Sequence, residues 1–197
     1  MDNSSLSPAD SLQLIRSMIE KTKKEISDNS IYFLVWGWGA FIGCIGQYIL
    51  KVIFNYPYHY RIWFITFICI IITMGLGMRK RKSQQVKTYV SDSMSYLWAG
   101  MGISFFIVSI IFSKIGWQYC FPFFILFYGL GTFVSGKILQ YRPFQYGGLM
   151  AFALAIIAAW LDYDYQMLIT ALALLVSYII PGHILQHKYR QSNKNEI

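Results

Sequence analysis

The feature that most limits what this chain can become is a series of six long apolar runs, over residues 31–53, 62–78, 96–113, 120–139, 146–161 and 166–185, none with an Asp, Glu, Lys or Arg near its middle. About 20 apolar residues in a helix cross the hydrocarbon of a bilayer, where only a closed backbone hydrogen-bond ladder is tolerated. Charged residues make up 13% of the chain, against about a quarter in soluble domains, so the polar skin of a water-soluble fold is missing. The second and fifth runs are short and must borrow flanking aromatics or thin the bilayer locally. Asp162-Tyr163-Asp164-Tyr165 forms a polar turn between the last two runs, which favours two spans over one re-entrant hairpin. The expected fold is all-α: a polytopic six-span bundle over residues 31–185, between a cytoplasmic segment, 1–30, and a basic cytoplasmic tail, 186–197.

The net charge of +8 does not point to nucleic acid, because the basic residues lie between apolar runs and form no patch on a soluble face. They order the topology instead. One side holds Arg16, Lys21, Lys23, Lys24, Arg79, Lys80, Arg81, Lys82, Lys87, Lys137, Arg142, Lys188, Arg190 and Lys194; the other holds Lys51, Arg61 and Lys114. The positive-inside rule then puts both termini in the cytoplasm. Aromatics including Tyr56, Tyr58, Tyr60, Trp117 and Trp160 gather at the outer boundary, as an interfacial belt does. Asp10, Glu20, Glu25 and Asp28 make residues 1–30 too polar for a cleavable signal, so the first run is expected to be retained.

Ser7-Pro8-Ala9-Asp10 is a helix start, with Ser7 as cap and Pro8 at the first helical position. Leu12, Ile15, Ile19 and Ile26 then recur at helical spacing, while Arg16, Glu20 and Lys24 pair across one turn on the polar side. This amphipathic helix offers its stripe to a protein partner or to the inner leaflet. The run Arg79-Lys80-Arg81-Lys82 is an orientation signal, or a seat for anionic lipid headgroups.

Gly39, Gly43 and Gly46 share a face of the first run, and Ala151, Ala155 and Ala159 repeat the pattern in the fifth; small residues let helices approach, within one chain or between two copies. Gly136-Lys137-Ile138-Leu139-Gln140 and Gly182-His183-Ile184-Leu185-Gln186 match at four of five positions. Together with Trp36-Gly37, Trp98-Ala99-Gly100 and Tyr146-Gly147-Gly148 they raise the expectation of three parallel two-helix repeats, although Gly, Ile and Leu are common enough here for chance to give the same match. The carrier signature Pro-x-Asp/Glu-x-x-Lys/Arg is absent. The order of parts, Leu14-Ile15-Arg16-Ser17-Met18-Ile19 and then a span opening Leu34-Val35-Trp36-Gly37, resembles small uncharacterised six-span inner-membrane proteins of Gram-negative bacteria. That resemblance implies a bacterial inner-membrane location and brings no activity with it.

Candidate chemistry is sparse. Cys44, Cys69 and Cys120 have neither zinc nor disulfide spacing. His183 and His187 lie one turn apart without a third ligand, and Asp162 with Asp164 is a solvated turn before it is a cation site. No triad or carboxylate pair falls at one membrane depth, so neither a catalytic residue nor a cofactor or metal is expected. Gln47, Thr66, Thr73, Ser104, Ser109, Thr132, Ser135, Thr170 and Ser177 either line a polar route or bond neighbouring carbonyls. The first expectation is a regulatory or scaffold membrane protein; the second is a small passive transporter or channel; an enzyme comes last.

Overall fold

The computed structural model describes residues 30–83 and 89–194. Helix α1, Ser30–Ile53, ends in a π turn at Ile49–Ile53. A 3-10 turn, His59–Phe64, leads into α2, Ile65–Ser83, followed by α3, Tyr89–Ile115, α4, Cys120–Ile138, and α5, Arg142–Ala159. The last helix is continuous: α6, Tyr163–Leu174, passes through a π turn at Leu175–Ile179 into α7, Ile180–Lys194. The described residues contain no strand. Among the described residues five helices are long and apolar enough to cross a membrane; α5 is not among them. The proposed amphipathic helix, with Leu12, Ile15, Ile19 and Ile26, lies outside the described residues.

Ring contacts show how the helices run. Phe33 at the start of α1 meets Phe144 at the start of α5, and Trp38 of α1 donates to His183 of α7. At the opposite end Phe121 of α4 lies between Trp63, just before α2, and Tyr163 of α6. Phe112 meets Phe123, and Phe105 meets Tyr128, so α3 and α4 are antiparallel. Successive helices therefore alternate in direction through the whole bundle. The core is a chain of aromatics: Tyr178 is fully buried, with Phe33, Trp98 and Tyr128 around it at 5.4–6.0 Å between ring centroids.

Local sequence explains the turns. Gln140 takes the left-handed conformation, φ 54°, and Tyr141 N–H closes back on Gly136 O at 2.8 Å, a helix-ending arrangement that satisfies a terminal carbonyl. Pro143 then sits in the first turn of α5, where its missing N–H costs nothing. Pro181 cannot donate to Ser177, and its ring would press on that carbonyl in a regular helix. The π turn at Leu175–Ile179 widens the helix just before it. Tyr141, whose phenol burial pushes up in pKa and so keeps as a donor, reaches Pro181 O at 3.4 Å.

The two matching pentads take different structures. Gly136–Gln140 spans the end of α4 and its turn, whereas Gly182–Gln186 continues inside α7. The two share their burial at two positions: Gly136 and Leu139, like Gly182 and Leu185, are buried.

Candidate functional site

Most in-span hydroxyls are satisfied within their own helix. Thr66, Thr73, Ser104, Ser109, Thr132, Thr170 and Ser177 each donate to a carbonyl three or four residues back, which removes them from any polar route. Ser135 is fully buried and its hydroxyl has no partner. Gln47 is the exception, because its amide ties three elements together.

Gln47 is 2% exposed on α1, close to the end where α2 and α6 begin. Trp63 Nε1 donates to its Oε1 at 2.6 Å, and its Nε2 donates to Tyr163 Oη at 3.1 Å. The same Nε2 lies 3.3 Å from His59 Nδ1. One turn further along α1, Lys51 forms an ion pair with Asp164 of α6, and its Nζ stands 4.7 Å over the Tyr163 ring. Lys51 reaches this point from the π turn that ends α1. Asn55, φ 48°, then reverses the chain, with Tyr56 N–H closing on Leu50 O at 2.8 Å. An open cleft of about 380 Å³ borders the pair, lined by Lys51, Asn55, Tyr56, His59 and Asp164 among others.

The pair is a third exposed on each side, 32% and 39%, so its direct contribution to stability is below about 1 kcal/mol. The buried amide matters more, because removing one partner strands the others away from water. Chemically the cluster is a clamp: its groups hold α1, the 3-10 turn and α6 in one arrangement. No group of three His, Cys, Asp or Glu side chains stands close enough to hold a metal among the described residues. His183 is engaged by Trp38 at 3.2 Å, and His187 is exposed.

The small-residue faces separate into two kinds. In α1, Gly39 backs onto Cys69, Gly43 onto Trp63 and Gly46 onto Ile62, so this face receives the 3-10 turn and the start of α2. In α5, Ala151 and Ala155 are buried, but Ala159 is exposed and Ala158 is the buried residue. Eight helical steps from Ala151 rotate about 80° off the stripe, whereas seven stay within about 20°. Arg79 is exposed near the end of α2; the side chains of Lys80, Arg81 and Lys82 lie outside the described set.

Sequence reasoning missed the clamp. In the sequence Gln47 is one polar residue among nine, Lys51 and Asp164 are separate boundary residues, and His59 carries no signal of its own. Two opposite charges, each rare on the sparsely charged side, were the available signal for pairing Lys51 with Asp164. No protein-family model, curated protein or solved structure matches the chain.

Proposed function

We propose that this is a six-span protein of the bacterial inner membrane, with both termini in the cytoplasm, that acts as a regulatory or scaffold component through its N-terminal amphipathic helix. The observation that carries the reading is the packed aromatic centre around Tyr178, where Thr132 bonds its own helix and, among the described residues, only buried single atoms such as Ser135 Oγ and Tyr178 Oη are left unpaired. Such a centre leaves little for a solute to follow and shifts the activity to surfaces. The alternation of helix direction supports α5 as a sixth crossing, since it returns beside α4 from one end of the bundle to the other. Its 18 residues rise about 27 Å, near the hydrocarbon thickness. The uneven sharing of Lys and Arg between the two ends orients the bundle.

The stripe Leu12, Ile15, Ile19 and Ile26 would meet a protein partner or the inner leaflet, with Arg79, Lys80, Arg81 and Lys82 adding attraction for anionic headgroups. Deleting residues 1–28 is expected to abolish co-purification of that partner, or binding to anionic vesicles, while the remaining bundle keeps its thermal transition. A truncated chain that retains every interaction would overturn the proposal. Reporter fusions after residues 57, 86 and 161 and at the C terminus check the topology separately; cytoplasmic signal is expected only from the second and the last. The threefold repeat has a narrower basis, the shared burial of Gly136 with Leu139 and of Gly182 with Leu185, and a passive transporter remains the second reading.

A further inference from the structure

The hydrogen-bond roles around Gln47 determine one another. An indole N–H can only donate, so Trp63 at 2.6 Å requires the Gln47 oxygen on its side. The amide nitrogen must then face Tyr163 and His59, and it has only donors to offer. His59 Nδ1 therefore accepts, which means that the ring is neutral and carries its proton on Nε2. Protonating Nδ1 would set an N–H against an NH₂ and remove the bond. Gln47 cannot flip to compensate, because the flip would turn its NH₂ toward the Trp63 donor.

We propose that Gln47, His59, Trp63 and Tyr163 form a proton-sensitive latch that holds the 54–64 connection against α1 and α6 and releases it when His59 gains a proton. Imidazole is the side chain whose ordinary titration lies within about pH 5–8. The groups facing His59 are Lys51 from α1, Asp164 and Tyr163 from α6, and Tyr60, whose ring centroid is 6.0 Å away in its own turn. Burial and then Lys51 oppose the added charge while Asp164 favours it, which leaves the imidazole below its ordinary value, so release falls toward the acidic end of that range. The open cleft beside His59 gives water and protons access to the ring. Release would loosen the connection at His59, while Tyr56 N–H stays on Leu50 O and Trp63 Nε1 on Gln47 Oε1, and would leave the aromatic centre undisturbed.

The latch is tested on the full chain in lipid nanodiscs, where both faces meet the buffer, so the outcome does not depend on which side of the membrane the cluster occupies. Hydrogen exchange of peptides covering residues 54–64, corrected for intrinsic rate, is expected to lose protection by about two- to tenfold between about pH 8 and about pH 5, the span of one hydrogen bond. His59→Gln keeps an acceptor that does not titrate and should abolish the loss; Asp164→Asn should keep it. Equal losses in the wild type and His59→Gln, or a loss abolished only by Asp164→Asn, would overturn the latch. Nitrogen NMR of ¹⁵N-histidine-labelled protein, with the His59 signal identified by its loss in His59→Gln, should report a bare Nδ1 at pH 8, and a proton there would also overturn the proposal.

Discussion

The α2 and α6 segments, His59–Arg79 and Tyr163–His187, contain windows of the same mean hydropathy, 2.0, yet 6% of the first window is buried in the bundle and 56% of the second. Val90–Ile115, the α3 segment, resembles α2 at 11%, and Trp117–Ile138, the α4 segment, resembles α6 at 50%. Hydropathy thus decides what is apolar enough for a bilayer but not what packs inside it. Lipid tails solvate Leu and Ile as well as a neighbouring helix does, so apolarity by itself draws no two helices together. Close approach does. In the α4–α6 half, a Cβ on Gly148 would lie 2.7 Å from Phe133 N, one on Gly129 2.9 Å from the Phe152 ring, and one on Gly147 2.9 Å from Ser177 Cα. In α2 and α3, Gly75, Gly77, Gly100 and Gly102 would meet nothing within 4 Å.

The sharpest way to break this contrast is Gly148→Ala. The added carbon would collide with backbone, not with the end of a side chain that could swing away, so α4 and α5 must separate along their length. Destabilisation of about 3 kcal/mol is expected, at the top of the range for an overpacked core, measured as a fall in the midpoint of unfolding in detergent. A midpoint equal to wild type would mean that the α4–α5 approach is looser than 2.7 Å and that glycine does not define the packed half.

Much of the fold was legible in the sequence because its constraints are local. The apolar runs centred near residues 42, 70, 104, 130, 153 and 176 correspond to α1 through the α6–α7 helix, and the Gly39–Gly46 face meets the 3-10 turn and the start of α2. The ends were less legible. The last apolar run stops at residue 185, but the helix continues to Lys194 because Gln186 to Lys194 contains no glycine or proline to end it. Ala158 rather than Ala159 is inside because seven steps from Ala151 return to the buried stripe and eight overshoot it by about 80°. The clamp was least legible of all. Its bonded pairs lie between 12 and 116 positions apart along the chain, and only the alternation of the helices brings them to one end.

Between the two halves, Gln47 is where α2 is fastened to the rest. Gln47→Leu keeps the volume but leaves the half-buried Trp63 Nε1 and Tyr163 Oη without their partner, while His59 turns to the water of its cleft. A loss of about 2 kcal/mol is expected, within the cost of stranding buried polar groups, and Trp63 should become more accessible to an aqueous fluorescence quencher in a variant where it is the only tryptophan. If the loss is equally large in Lys51→Ala, the exposed ion pair and not the amide fastens α2, contrary to its exposure.

The smallest effect expected is the most informative about α2. At Gly75 no packed neighbour stands in the way, so Gly75→Ala changes only the helix itself, and alanine is the better helix former by up to about 1 kcal/mol. The variant should be as stable as wild type or slightly more so, with an unchanged oligomeric state in detergent. The sign of the effect separates two surroundings for this face. A lipid-facing glycine gains from a methyl group, whereas a glycine pressed against a second copy of the chain would lose by it, as Gly148 loses against Phe133. A destabilised Gly75→Ala that also dissociates a larger species would therefore place α2 at an interface and end the contrast between a packed half and a lipid-bathed half.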